Sequence, residues 1–418
     1  METKDGNQSK GAKRRSRNLL LLSISLLIGF GIFELMLRLI PLHQTSTFSS
    51  VKYVSDKDVG YLPVALQDAE FNLGFLHNRH IRSNSLGFRG PEWSETKRPK
   101  IALLGDSFLH ALTISDEFHI ATRLQSVTGG EIWNTGVSGY GTYQELLVWR
   151  RFLKARKPEI TILFFYPEND IRDNHCGLCR AENQLHCPCL SVEEEAIVED
   201  MDFEIRKQNT GIRSWLTEHC YTYRLLRYYL KSEPEMPANY FEKESFAYNV
   251  YRPGLSAQWD EAWIVTEWSL RELKRECDSA GSQLLIVSVP GVIQLATDFD
   301  AELTSQIGSA EVPSDFDLKY PMDRLRTIAD SAGIPLLDLQ ADFISYRDQY
   351  QLRNPVFGWK CDGHWNPLGH RLAADLVYNF LVEQGWIKGN QQLTPSPEEV
   401  LGNEMMEKIY SGRTVVLD

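Results

Sequence analysis

Ile101-Ala102-Leu103-Leu104-Gly105-Asp106-Ser107 is an apolar, strand-like run that breaks off in a glycine, an acid and a serine. Alone, such a tripeptide is as readily an ordinary strand-to-helix turn as a functional site. Far downstream, however, the chain supplies Asp362-Gly363-His364-Trp365-Asn366. A serine hydroxyl is a poor nucleophile at neutral pH. It needs an imidazole to take its proton and a carboxylate to hold that imidazole in the right tautomer. Ser107, His364 and Asp362 can fill those roles. Ten histidines occur, but His364 follows an acid and precedes Asn366-Pro367 at the head of a helical pattern, a loop position suited to a base. His370, one turn into that helix, reads as a packed or surface histidine, and Asn366 as the helix cap.

Two more polar segments also follow apolar runs. Glu131-Ile132-Trp133 leads into Asn134-Thr135-Gly136-Val137-Ser138-Gly139-Tyr140-Gly141-Thr142, and the run 160–165 leads into Tyr166-Pro167-Glu168-Asn169-Asp170. In open α/β sheets the ligand crevice lies beyond the carboxyl ends of the strands, so motifs distant in sequence converge there. The alternation continues around them. Strands are expected at 100–104, 132, 160–165, 283–289 and 334–339, with helices at 117–127, 143–155, 259–280, 323–332 and 367–384. This pattern predicts an α/β fold, a doubly wound parallel sheet with helices on both faces.

In this order and strand context the motifs resemble the SGNH (GDSL-type) serine hydrolase superfamily, over roughly residues 96–385 apart from an insertion. The resemblance implies an SGNH/flavodoxin-like three-layer sandwich, with Ser107 as nucleophile and His364 and Asp362 completing the triad. It also implies the Gly139 amide and the Asn169 side chain as oxyanion-hole donors. In the usual family pattern the acid precedes the histidine by three residues, a place held here by Cys361. Asp362 stands two before His364, a spacing similar to that of the alginate-acetyltransferase-like branch, which raises the weight of acyl transfer against hydrolysis. The segment Asn84-Ser85-Leu86-Gly87-Phe88-Arg89-Gly90 often precedes the serine motif in bacterial relatives; its plain reading is an edge turn packed by Phe88. The Gly-x-Ser-x-Gly elbow of other hydrolases is absent, so Ser138 reads as a turn residue.

Attack on an ester carbonyl develops negative charge on its oxygen, and pre-placed donors are worth several kcal/mol there, on the order of 10²–10³ in rate each. Ser107 at a helix start offers its own amide, Gly139 has no Cβ to hinder approach, and Asn169 presents a neutral amide. Asn169 has a plain alternative as a cap or turn residue. Asp106 reads as holding the turn. No metal or organic cofactor is needed for this chemistry.

The whole chain sets the surroundings. It has 418 residues, 43% hydrophobic and 24% charged, enough for one large α/β domain with attachments and incompatible with general disorder. A net charge of -12 and the lack of a basic, aromatic-interleaved stripe exclude nucleic acid as the expected partner. A basic tail (1–18) with Lys10, Lys13, Arg14, Arg15 and Arg17 precedes an apolar run (19–40) in which only Glu34 and Arg38 are charged. That run is long enough for a ~30 Å hydrocarbon core. Its flank predicts a cytoplasmic N-terminus and an extracytoplasmic body at the cell membrane. The competing reading is a cleaved signal peptide. Glu34 and Arg38, spaced i, i+4, are expected to pair near the outer interface.

Residues 41–95 read as a stalk and lead-in, 96–385 as the catalytic domain, 172–257 as an inserted subdomain beside the cleft, and 386–418 as a tail with a helix-like stretch over 397–410. Within the insertion, His175-Cys176, Cys179, His186-Cys187 and Cys189 have the spacing of a zinc-ligand set. Outside the cytoplasm disulfides are the commoner use of four clustered cysteines, so disulfides lead, and structural zinc at Cys176, Cys179, Cys187 and Cys189 or free thiols follow. With seven cysteines at least one stays free if all pairing is internal, and Cys361 is placed to tether the acid-bearing loop.

The expectation is an anchored serine esterase that removes O-acetyl or short acyl esters from a small molecule or glycan, beside envelope polysaccharide machinery. Its rivals are an O-acyltransferase with the same triad and a non-catalytic membrane-tethered scaffold or glycan-binding module.

Overall fold

The computed structural model describes residues 5–39, 48–73, 76–94, 96–182, 187–203, 211–230, 239–308, 311–353, 356–359, 362–389, 392–411 and 415–417. They divide into two compact units, Met1–Ser46 with Asn209–Glu235, and Thr47–Gln208 with Met236–Asp418.

The larger unit is built on five parallel strands: β1 (Lys100–Leu104), β2 (Glu131–Asn134), β3 (Ile160–Phe165), β4 (Gln283–Ser288) and β5 (Leu336–Asp338). Their order across the sheet is β2-β1-β3-β4-β5. β1, β2 and β3 are buried along their whole length, as strands covered on both faces must be, which is why β1 and β3 are predominantly apolar. Alternate residues serve the two faces. Ala102, Leu104, Leu163, Phe165, Leu284 and Ile286 join one core, against Leu146 and Trp149, against Trp263 and Leu270 of the helix Ala257–Ala280, and against Leu325 of Tyr320–Ala332. Ile101, Leu103, Ile162, Phe164, Leu285 and Val287 join the other, against Leu124 of Ile120–Thr128, Phe343 of Leu339–Gln349, and Leu372 and Val377 of Pro367–Glu383. The expected doubly wound sheet with helices on both faces is therefore present.

Chain entry to the sheet reverses between β1 and β3: β1 leads outward to β2, whereas β3 leads the other way to β4. The crevice at such a reversal is where an open α/β sheet places its ligand, and Ser107 and Asn169 follow the two strands that flank it.

Several elements differ from expectation. The helix expected over 143–155 is α-helical only over Thr142–Val148, then widens into a π-turn at Trp149–Leu153 and tightens at Lys154–Arg156. The wide turn coincides with the burial of Trp149, Phe152 and Leu153, and packing of these bulky side chains overrides the regular period. Residues read as a stalk and lead-in carry strands from Phe48 onward. Tyr53–Asp56 pairs with Gly60–Pro63, and Asp68–Leu73 pairs with Leu76–Arg82, to which Val415–Leu417 of the tail adds in parallel. The helix in the tail, Pro397–Ser411, is broken at Gly402. The stretch 172–257 is not one inserted body, since 209–235 cluster with the N-terminal helix and the remainder with the sheet.

The smaller unit consists of the helix Asp5–Leu39 and the helices Ile212–His219 and Tyr221–Leu230. Within the first, Arg14–Arg38 is long and apolar enough to cross a membrane, its 18-residue apolar window having a mean hydropathy of 2.3. The expected Glu34–Arg38 pair is formed at 3.3 Å.

Candidate active site

β1 ends at Leu104 and the chain turns through Gly105, where a Cβ would lie 2.9 Å from Leu109 Cδ1 and 3.2 Å from the Phe164 Cβ. Only glycine lets the turn sit this tightly on the sheet. Asp106 then caps a single helical turn, Ser107–His110, its carboxylate accepting the Phe108 amide at 2.9 Å. The turn is held from below by Arg89 of the Asn84–Gly90 segment. Its guanidinium, buried with Phe88, donates to the carbonyls of His110 at 3.0 Å, Ala111 and Ile114, and pairs with Asp116 at 2.8 Å.

His364 was expected on a loop. It lies instead in a short strand, Asp362–Trp365, paired antiparallel with Gly358–Trp359. Asn366 ends this ribbon and starts the next helix together. Its Oδ1 accepts the Leu368 and Gly369 amides at 2.9 and 3.1 Å, while its Nδ2 donates to the Val356 and Gly358 carbonyls at 3.0 and 2.9 Å. One side chain thus fixes the histidine ribbon to the helix Pro367–Glu383.

These elements bring the three triad candidates into one hydrogen-bonded chain. His364 Nε2 is 2.7 Å from Ser107 Oγ, and His364 Nδ1 is 2.6 Å from Asp362 Oδ1. The His364 side chain keeps 34% of its surface open and Asp362 15%, so the imidazole meets solvent while the carboxylate is mostly enclosed. The Phe108 ring lies 5.1 Å from the imidazole and, on its other contact, 5.1 Å from the Trp365 ring. Burial pulls the imidazole pKa down, but the Asp362 charge and hydrogen bond, with Asp106 behind, outweigh it and leave His364 above its usual value. Burial works against the Asp362 carboxylate as well, yet His364 and the His364 and Gly363 amides hold it below the usual range. By contrast, burial and then Arg89 push His110 and His370 down to about 3, so both stay neutral packing groups. His370 is packed as expected, its ring 5.5 Å from His119 and 5.7 Å from Trp365.

The two further donor candidates are placed less directly. Asn169 Nδ2 donates to Asp106 Oδ2 at 2.7 Å, which fixes the amide one residue from the serine and leaves its second N–H for a ligand. Gly139 takes φ +82°, and a Cβ there would meet the Tyr61 hydroxyl at 2.8 Å. Its loop is pinned by Tyr61 Oη to Ser138 O at 2.8 Å, by Val137 N to Gly105 O at 3.2 Å, and by His110 Nδ1 to Ser138 Oγ at 2.9 Å. Ser138 is thus a turn residue, as read. Among the described residues no hydrogen bond ties Gly139 to the triad.

Beneath the serine lie acids that sequence reasoning did not mark. Asp106, Glu145 and Asp170 are all buried; burial raises each, most strongly Glu145 and Asp170, which also repel one another's charge. Glu168 is raised to about 7 by burial, against the hydrogen bonds it accepts from Tyr166 and Tyr251. Glu145 sits among apolar residues of a short helix, and nothing in its spacing signals this role. A cavity of about 210 Å³ adjoins the His364 ribbon, with Val292, Leu295, Phe357 and Trp359 in its wall beside Gly363 and Trp365.

In the cysteine cluster Cys176 and Cys189 form a disulfide, so zinc at all four cysteines would require that bond to be reduced. Cys179 keeps a buried thiol, pushed up to about 12 by burial. Cys361 and His186 lie outside the described residues.

No family model matches the chain, and no curated protein matches it. Solved structures similar to it include the acetyl xylan esterase AlAXEase, with 13% identity and a TM-score of 0.37 over 68% of this chain and 99% of that one. A lipase/acylhydrolase from Enterococcus faecalis has 12% identity and a TM-score of 0.36, covering 70% and 98%. Axe2, an acetylxylan esterase from Geobacillus stearothermophilus, has 16% identity and a TM-score of 0.36, also covering 70% and 98%. The likeness is one of outline, and no residue's role is taken from it.

Proposed function

We propose that the chain is a serine esterase of SGNH type, held at a membrane by the helix Asp5–Leu39, with its catalytic body on the outer side and short acyl esters, O-acetyl groups on a glycan foremost, as its substrates. The observation that carries this reading is the unbroken Ser107–His364–Asp362 hydrogen-bonded chain. In the first half-reaction Ser107 Oγ attacks the ester carbonyl while its proton passes to His364 Nε2. The carbonyl oxygen, now negative, takes hydrogen bonds from the Ser107 and Gly139 amides and from Asn169. Collapse breaks the ester C–O bond, and His364 returns the proton to the departing alcohol. Water then repeats the sequence on the acyl-serine and releases the carboxylic acid. The buried Asp362 keeps the imidazole oriented and stabilises its protonated form.

The Cys176–Cys189 disulfide supports an oxidising compartment, where such bonds persist.

The test is the full-length protein in detergent, treated with a fluorophosphonate probe and an activated acetyl ester, alongside Ser107→Ala and His364→Ala. The expected result is labelling and turnover in the native chain and loss of both in each variant. A folded native chain that neither labels nor turns over ester would overturn the assignment and favour a binding or scaffold role. Adding a sugar acceptor separates hydrolysis from transfer: acetate release unaffected by acceptor supports the esterase, whereas acetyl-sugar formed in preference to acetate makes the same triad a transferase.

A further inference from the structure

The apolar part of the helix Asp5–Leu39, from Leu19 onward, carries two charges, Glu34 and Arg38, and both are used by a hairpin of helices from the middle of the chain. The Glu34 carboxylate accepts the Tyr221 amide at 2.7 Å, the Thr222 amide at 2.9 Å and the Thr222 hydroxyl at 2.8 Å. It therefore caps the first turn of Tyr221–Leu230, satisfying N–H groups that have no partner inside their own helix. Arg38 donates to Glu34 and, at 2.8 Å, to the carbonyl of His219 at the end of Ile212–His219, and its guanidinium lies 5.1 Å above the Tyr221 ring. A carboxylate in an apolar segment is costly unless partnered. Here its partners fix where the hairpin meets the helix.

That place is near the outer end. Glu34 precedes the last helical residue, Leu39, by five residues, or about 7–8 Å at ~1.5 Å per residue. This is the depth at which interfacial helices bury their apolar faces, ~5–10 Å into the boundary between headgroups and acyl chains. The hairpin has the composition of such helices. Leu226, Tyr229 and Leu230, spaced i, i+3, i+4, are 53%, 71% and 79% exposed, and Ile212 and Trp215 on the other arm are 75% and 57% exposed. Residues 211–230 contain three arginines and one glutamate, a balance suited to anionic headgroups.

We infer that the hairpin Ile212–Leu230 is a second membrane contact, lying in the outer lipid interface and locked to the crossing helix by Glu34 and Arg38. This rests on the reading of Arg14–Arg38 as a membrane span. A cluster of exposed large apolar side chains needs an apolar cover, and the bilayer crossed by the adjoining helix supplies one continuous with it. The chain then holds the membrane at two segments far apart in sequence.

The experiment uses full-length protein in phosphatidylcholine–phosphatidylglycerol vesicles containing alkyne-tagged phosphatidylcholine, with the photo-crosslinker benzoylphenylalanine placed singly at Leu27, Trp215 or Tyr229. Leu27 lies inside the proposed span and reports on the span alone. The expected result is light-dependent lipid adducts at all three positions. Adducts at Leu27 with none at Trp215 and Tyr229 would overturn the interfacial contact while leaving the span intact. Their absence at Leu27 as well would overturn the span and the inference with it. Crosslinks from Trp215 and Tyr229 to protein in place of lipid would overturn the lipid contact in favour of a protein partner. The side chains at 215 and 229 are 57% and 71% exposed, so an aromatic replacement there removes little buried contact.

Discussion

The two ring nitrogens of His364 face different neighbours, Asp362 and Ser107, and on the proposed mechanism each neighbour has a separable consequence. Nδ1 faces a carboxylate that raises the imidazole pKa above its usual value against the pull of burial. The base must be neutral to accept the Ser107 proton, so ester turnover is expected to rise with pH through a limb centred above 6.5, the ordinary value. Removing the charge with Asp362→Asn removes what raises the pKa. The limb should then move to lower pH while the plateau falls, by up to about 10⁴ as for other triads that lose their acid. A kcat/KM profile of both proteins checks this; an unmoved limb would mean that another group sets it. If the Asn169 amide serves the transition state as proposed, Asn169→Ala should lower kcat on the order of 10²–10³ with little change in KM. Equal losses in binding and turnover would point to a structural role through Asp106. The three members of the hydrogen-bonded chain could be named from the sequence as triad candidates. The bonds of Asp106 to Asn169 and of Arg89 to the serine turn could not, because they join segments whose proximity only the fold creates.

Among the elements, those with a strong local signal agree with their sequence patterns. β1 is apolar from Ile101 to Leu104 and β3 is apolar but for Thr161, and the helix after His364 begins with Asn366 as cap and Pro367 in its first turn. The differences arise where tertiary packing competes with local pattern. Trp149 and Phe152 widen a helix into a π-turn to reach the core, and the strand holding His364 exists only because Gly358–Trp359 pairs with it. The helix Pro367–Glu383 carries the load of one face, with Leu372 and Val377 in the core and Asn366 clasping the histidine ribbon. Leu372→Ala should cost roughly 2–5 kcal/mol as a buried truncation. A denaturant titration reads this as a shift in midpoint. Arg89→Ala removes the partner of several carbonyls behind the serine turn and leaves them buried, so it should destabilise by about 3 kcal/mol or more. It should also lower turnover in the fraction that stays folded. Loss of stability with full specific activity would show that Arg89 does not position Ser107.

For the whole molecule, the alternation of strand and helix was sufficient to indicate a doubly wound sheet, and the reversal between β1 and β3 explains why Ser107 and Asn169 meet. The organisation around that sheet was less legible. The strands from Phe48 to Arg82 are short, and one of them is completed by Val415–Leu417 at the opposite end of the chain, a pairing that no local pattern announces. The stretch 172–257 looked like one insertion because its length was the only signal, whereas it contributes to both units. Its cysteines form at least the Cys176–Cys189 bond, whose two residues are buried together with Cys179. The central claim, that a serine at the sheet reversal is acylated, is tested most directly by trapping the intermediate. Native protein is mixed briefly with an activated acetyl ester, quenched in acid and mapped by peptide mass spectrometry. The expected result is one acetyl group on Ser107, accumulating with His364→Ala far more slowly than with the native chain. Ester turnover with no acetyl on Ser107, or with acetyl on another residue that disappears at the catalytic rate, would contradict the account.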